Sequence, residues 1–172
     1  MPKPEYNGLI FDSPDELELY WWAEEAKEHG LIEDFEYQKP TWQLSEPVIE
    51  EIPMFGKRGK PIKPKRRTVL QGATYTCDFH FHTKFIRFMQ LSEFIDVKPK
   101  FSRRDSDAAK FSLLRKWLYQ RHGVLVHSLV PWDLFNVTFA PAKARVTPKQ
   151  GKPRKHYSEL PTVLDFRRRC ES

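Results

Sequence analysis

The chain has 172 residues, long enough for one domain with a real core and too short for two comfortable ones. A composition of 40% hydrophobic and 14% aromatic residues excludes a wholly disordered chain, although 14 prolines and a mean hydropathy of -0.65 call for much irregular backbone. The 29 Lys+Arg outnumber the 23 Asp+Glu, so the net charge is +6 and the expected partner is a polyanion, and no apolar run approaches the roughly 20 residues of a membrane span.

The charges are segregated. Acids crowd the stretch from Asp12 to Glu51, whereas bases crowd 57–67, 98–104, 143–155 and 167–169. Without a basic amphipathic helix, such patches favour a nucleic acid over an anionic membrane. The two cysteines, Cys77 in a strand pattern and Cys170 near the C-terminus, do not suggest a structural disulfide, so a reducing compartment and a soluble, cytoplasmic protein are expected.

Residues 1–9 read as loose, with a short edge strand at Gly8-Leu9-Ile10-Phe11. Asp12-Ser13-Pro14-Asp15-Glu16 then announces a helix: Ser13 can cap, Pro14 suits the first turn, and Glu16 can complete a capping box. This helix should run to about His29 and stop at Gly30, burying a broad face that includes Leu19, Trp22, Ala23 and Ala26. The capping role is by itself a sufficient reason for Glu16.

From Phe35 to Leu44 the alternation reads as a strand interrupted at Pro40, which implies an edge or a bulge. Periodicity then fails from Glu46 to Gly72. Within that stretch Lys57, Arg58, Lys60, Lys63, Lys65, Arg66 and Arg67 stand without an intervening acid, as expected of a solvated loop able to grip phosphates.

Strand character resumes in Tyr75-Thr76-Cys77-Asp78-Phe79 and again in Phe94-Ile95-Asp96-Val97-Lys98. Alternation puts Asp96 and Lys98 on one face and Ile95 and Val97 on the other. If the two strands are neighbours, two carboxylates and an ammonium converge, a set suited to Mg²⁺ with water and phosphate completing its shell. Charged residues at i, i+2 more commonly form a solvated face. Asp78, His80 and His82 also share a face, but Cys77 points the other way and no second cysteine cluster exists, so a tetrahedral structural zinc site is not expected. His80 is placed instead as a neighbour of the metal or of nucleic acid.

Residues 85–94 suggest a twisted strand or turn. Pro99 stops the ladder and the basic loop Lys100 to Arg104 follows, with Lys100, Arg103 and Arg104 as further phosphate contacts. A second helix, capped at Asp105 or Ser106 and ending before Gly123, should bury Ala109, Leu113, Leu114, Trp117 and Leu118. Val124 to Val130 reads as a buried strand parallel to the previous one, reached by a right-handed crossover. Beyond Pro131 a short helix or strand, a disordered Pro/Lys tract from Ala140 to Lys155 and a last short helix around Tyr157 to Phe166 are expected.

This order of elements, with Glu16, Gln38-x-Pro40, Tyr75-x-x-Asp78-Phe79 and Asp96-Val97-Lys98 in place, resembles the PD-(D/E)XK nuclease superfamily. It is similar in particular to small phage-encoded endonucleases, transposon end-cleaving endonucleases and Holliday-junction resolvases. The resemblance covers about residues 8–130 and departs in two ways: Asp96 stands where many relatives have Glu, and Cys77 stands where the motif proline would be.

The resemblance implies an α/β, restriction-endonuclease-like core (αβββαβ) with a mixed sheet flanked by helices, over residues 1–130 with a basic insert loop at 46–72. Residues 131–172 would be a basic C-terminal extension packing on that core. It implies a Mg²⁺- or Mn²⁺-dependent endodeoxyribonuclease, acting on DNA that could include branched or junction forms. Glu16, Asp78, Asp96 and the Val97 carbonyl would hold metal, Lys98 would orient or activate water, and Gln38 would be a polar positioning residue. Implied partners are DNA, a second copy or other recombination or transposition proteins, and no membrane; the setting would be a host-cell cytoplasm if the chain is phage-encoded. Two alternatives remain: a non-catalytic nucleic-acid-binding accessory protein, and an RNA-cleaving nuclease using the same site.

Overall fold

The chain begins with a small antiparallel ladder, β1 (Glu5–Tyr6) with β2 (Leu9–Ile10), and then enters α1 (Pro14–Glu28) at Ser13. In this computed structural model, which describes residues 2–82, 93–99, 105–147 and 152–171, Ser13 is extended and its hydroxyl accepts from the Glu16 N–H at 3.1 Å. That bond satisfies one of the unpaired donors of the first turn. The His29 N–H closes the helix on the Glu25 carbonyl, and Gly30 leaves it at φ 69°, where a side chain would be strained. The predicted helix is therefore found, cap and stop included.

β3 (Asp34–Tyr37) and β4 (Thr41–Ser45) are separated at Gln38 to Pro40, the expected interruption. The next stretch differs from expectation. Residues 46–72 are not a loop but a hairpin arm, β5 (Val48–Phe55) paired antiparallel with β6 (Pro61–Leu70) across a 3-10 turn at Lys57–Gly59. None of its strand residues is buried. Strands normally announce themselves by a buried face of alternating apolar residues, and an arm solvated on both sides lacks that signal.

The single strand expected over 75–79 is also two pieces, β7 (Ala73–Thr76) and β8 (Phe79–His82), broken at Cys77 and Asp78. β7 pairs with β4 and β8 with β3, so the long hairpin bends at one level in both strands. β9 (Phe94–Val97) follows, then α2 (Asp105–His122) and β10 (Val126–Leu129). The central sheet has the order β10-β9-β8-β3, with β10 parallel to β9, and β8 antiparallel to both β9 and β3. It is a mixed sheet in an α/β protein. The parallel β9–α2–β10 unit agrees with expectation, but β10 lies at the sheet's edge and only Val126 in it is fully buried.

One face of the sheet presents Phe79, Phe81, Ile95 and Val97 to Leu19, Trp22, Ala23 and Ala26 of α1. α3 (Pro131–Val137), α4 (Lys155–Ser158) and α5 (Val163–Glu171) complete that core with Leu134, Phe135, Tyr157, Val163 and Phe166. Two links bind the C-terminal region to α1. The Trp22 indole N–H donates to Thr138 Oγ1 at 3.1 Å, and the buried Glu18 carboxylate accepts from Arg154 Nη1 and the Tyr157 hydroxyl, both at 2.5 Å. Burying that acid is affordable only because both oxygens are bonded and a guanidinium faces it.

The tract expected to be disordered is ordered over 140–147. Ala144 is fully buried, and the Arg145 guanidinium donates to the Ala140, Leu160 and Pro161 carbonyls. On the sheet's other face α2 covers Val126, Leu44 and Phe94 through Phe111, Leu114 and Leu118. The buried stripe is narrower than the sequence pattern implies, since Ala109, Leu113 and Trp117 are exposed. Among the described residues no helix is long and apolar enough to cross a membrane.

Candidate active site

Asp78 occupies the bend between β7 and β8. The same bend on the partner strands puts Gln38 at φ 52°, and the Gln38 N–H donates to the Asp78 carbonyl at 2.8 Å. Asp78 is thereby turned toward β9. Its own N–H donates to the Ile95 carbonyl at 3.1 Å, and its Oδ2 accepts from the Val97 N–H at 2.6 Å. Val97 thus meets this acid through its amide, whereas its carbonyl had been the expected metal ligand.

Asp96 lies in β9 and is 8% exposed. Ile95 and Val97 point into the α1 core, so alternation sends Asp96 and Lys98 to the opposite face, as the sequence predicts. The Tyr75 hydroxyl donates to Asp96 Oδ1 at 3.1 Å, and the Lys98 ammonium forms an ion pair with Oδ2. Lys98 also sits 4.6 Å from the ring centre of Phe111, so α2 supplies the wall that holds the ammonium over Asp96.

Glu16 belongs to the same neighbourhood but is held locally. Its carboxylate accepts from the Ser13 hydroxyl at 3.0 Å, the Asp12 N–H at 3.2 Å and the Tyr37 hydroxyl at 2.7 Å. Gln38 Nε2 donates to the Tyr37 hydroxyl at 3.1 Å, so Gln38 supports Glu16 through Tyr37.

Electrostatics ties these groups together. Burial pushes the Asp78 carboxyl up to about 7, opposed by the Val97 N–H, reinforced by the negative charges of Asp96 and Glu16, and opposed again by Lys98. Burial also raises Tyr75, as does the Asp96 charge, so Tyr75 remains a protonated donor. Cys77, buried beside Asp78, is pushed up to about 12 and is a thiol at neutral pH, not a nucleophile.

The structure therefore gives two contacts, Asp78 with Val97 and Asp96 with Lys98, with the Asp96, Lys98 and Glu16 charges all felt at Asp78 and Gln38 behind Glu16 through Tyr37. Lys57, Arg58, Lys60, Lys63, Lys65, Arg66 and Arg67 stand apart on the arm, whose strands pair only with each other. Lys100, Arg103 and Arg104 lie outside the described residues. Tyr37, Tyr75 and Phe111 were not anticipated. Tyr37 reads as an apolar partner of Phe35, and nothing in the pattern says that the Tyr75 hydroxyl reaches a neighbouring strand.

Glu16, Asp78 and Asp96 lie in one electrostatic field with Lys98, but among the described residues their carboxylate oxygens do not all come within 4.8 Å of one another, so a cation shared by all three would require side-chain rotation. A cation beside Asp78 would offset the burial and the neighbouring negative charges that raise its carboxyl. Compared with known proteins, the chain matches no family model, no curated protein and no solved structure.

Proposed function

We propose that the chain is a metal-dependent nuclease of the PD-(D/E)XK type, with an αβββαβ core, that hydrolyses phosphodiester bonds in DNA. The observation that carries the proposal is the Asp78 carboxylate seated on the Val97 N–H at 2.6 Å, between the two residues, Asp96 and Lys98, that pair on the face opposite the Val97 side chain. The element order supports it: α1 with Glu16, then β3, β8 and β9, then α2 and β10.

In this reading Asp78 and Asp96 hold Mg²⁺ or Mn²⁺, with Glu16 and the Val97 carbonyl available to complete the set. When bound, the cation stabilises negative charge developing on the phosphate oxygens. Lys98, fixed between Asp96 and Phe111, is placed to hydrogen-bond an attacking water or a phosphate oxygen. Tyr75 keeps Asp96 oriented, and the arm's bases hold the backbone without reading sequence.

The test is cleavage of plasmid, single-stranded and branched DNA, and of RNA, with Mg²⁺ or Mn²⁺. Asp78→Asn, Asp96→Asn and Lys98→Ala should each lower the rate by roughly 100- to 1,000-fold, with the far-UV circular dichroism unchanged. Undiminished cleavage in all three removes the assignment.

The three bonds to the Glu16 carboxylate favour a second reading, a nucleic-acid-binding accessory protein in which the acids serve only the fold. It predicts binding without cleavage, and no Mg²⁺-dependent tryptophan quenching that Asp78→Asn abolishes. A preference for RNA in the same assay would keep the site and change the substrate.

A further inference from the structure

A second cluster lies on the same sheet, beginning two residues along from Asp78. In the β3–β8 register Glu36 stands directly opposite His80, and His82 follows two residues along the same strand on the same face. Each of the three offers one ligand atom, and these atoms all lie within 4.8 Å of one another. Glu36 Oε2 is 3.2 Å from His80 Nδ1 and 4.0 Å from His82 Nε2, and the two imidazole rings are 4.2 Å apart at their centres. Ligands about 2.0–2.1 Å from a tetrahedral zinc are separated by roughly 3.3 Å, so small side-chain rotations bring these atoms onto one ion.

We propose that Glu36, His80 and His82 form a site for a borderline transition metal of the zinc class, using one carboxylate oxygen and two imidazole nitrogens. The supporting groups are already present. The far nitrogen of His80, Nε2, is 3.3 Å from Glu93 Oε1, so with Nδ1 on the metal the Nε2–H donates to a carboxylate. This outer hydrogen bond fixes the tautomer and raises the basicity of a ligating histidine. The Phe94 ring stacks on His80 with centroids 4.5 Å apart and planes at 20°, restricting the remaining freedom of the imidazole.

The Glu36 and His82 side chains are 44% and 45% exposed, so the ion has a path from solvent and room for a water as its fourth ligand. Asp34, opposite His82, is occupied by Lys27 at 2.7 Å. Two imidazoles make the site poor for Mg²⁺, whereas the all-oxygen set of Asp78 and Asp96 is poor for zinc-class metals by comparison. The two sites thus differ in the metals they select, and this one stands whether or not the chain cleaves DNA. A bound ion would staple the edge strand β3 to β8, the strand that Asp78 leads into.

The experiment uses the untagged full chain, stripped of metal by chelation, with Zn²⁺ followed by calorimetry and Co²⁺ by its visible absorption. One ion per chain is expected, with the intense visible band of low-coordinate Co²⁺, and with a thermal unfolding midpoint that rises when Zn²⁺ is added. Glu36→Gln and His82→Ala, at half-exposed positions, should each abolish the band and the midpoint rise. Glu93→Gln should weaken Zn²⁺ by about 10- to 100-fold, and Asp78→Asn should leave all three readouts unchanged. No binding at one equivalent, binding indifferent to Glu36→Gln and His82→Ala, or a Co²⁺ band lost only in Asp78→Asn would each overturn the proposal, leaving a cross-strand His–Glu ion pair.

Discussion

Asp78 and Asp96 are each held by hydrogen bonds from neighbouring elements, whereas the seven bases of the arm stand on a hairpin with no buried strand residue. Both regions are built from β-strands and both are highly charged, but the strands at the acids are 4 residues long and those of the arm 8 and 10. They differ in what holds the charge. At the sheet, each acid is seated by neighbours on other elements: Asp78 by Val97, Asp96 by Tyr75 and Lys98, and Lys98 by Phe111. On the arm, the hydrogen-bonded ladder and the cross-strand pair Arg66–Glu51 at 2.9 Å carry the order. Chemistry that needs fixed geometry is lodged in the first, and binding that needs only charge and reach can use the second.

The strongest way to sharpen this contrast is through stability. Asp78 has its carboxyl raised from 3.8 to about 7, chiefly by burial. A raised folded pKa means that the protonated form favours folding, so the native state has its full advantage below the unfolded value near 4 and loses it as the pH rises through 7. The loss amounts to at most about 4 kcal/mol for this one group. Asp78→Asn, which is neutral at every pH, should therefore be more stable than wild type at pH 8 by up to that amount, the two converging below pH 4. Urea melts across that range check it. Parallel curves for the two proteins would mean that Asp78 is solvated and that the sheet end is no more restrictive than the arm. A site that lowers the stability of its own fold is common where function demands buried charge.

The same contrast explains what could be read from the chain and what could not. Ser13, Pro14, Glu16 and Gly30 determine α1 because capping chemistry is local, and the alternation in 94–98 correctly divides Ile95 and Val97 from Asp96 and Lys98. The position of Asp78 against β9 depends on a bend shared by two strands, and the pairing of Glu36 with His80 depends on register. Neither is a local property, so the histidines could be placed on one face while their carboxylate partner stayed hidden. The arm reads as a loop because a strand solvated on both faces has no buried stripe to display. α2 failed differently. Apolar side chains surround most of the helix, and only packing shows that Phe111, Leu114 and Leu118, and not Leu113 or Trp117, meet the sheet.

A smaller effect is expected from the arm. Lys65 and Arg67 share one face by alternation, with Lys63 beyond the irregularity near Pro53. Changing all three to Gln should weaken DNA binding by about 100-fold near 0.1 M salt and reduce the slope of log affinity against log salt by roughly 2.7, about 0.9 for each lost phosphate contact. Cleavage at saturating DNA should be unchanged. Filter binding at several salt concentrations measures the slope, and an unaltered slope would move the DNA-binding surface off the arm.

The smallest effect tests whether the arm's order depends on its ion pairs at all. Arg66 and Glu51 are paired across the ladder, yet their side chains are 75% and 52% exposed, so solvent screens the attraction and two long side chains must be ordered to make it. Glu51→Gln should change global stability by less than about 0.5 kcal/mol. Because the substitution also removes one of two acids on a basic hairpin, it should leave DNA binding equal or slightly tighter, since the freed Arg66 can then face a phosphate. Should Glu51→Gln instead melt the arm, seen as lost amide protection over 48–70 in hydrogen exchange, the hairpin would depend on side-chain charge pairing, and its bases would be committed to the fold as firmly as Lys98 is to Asp96.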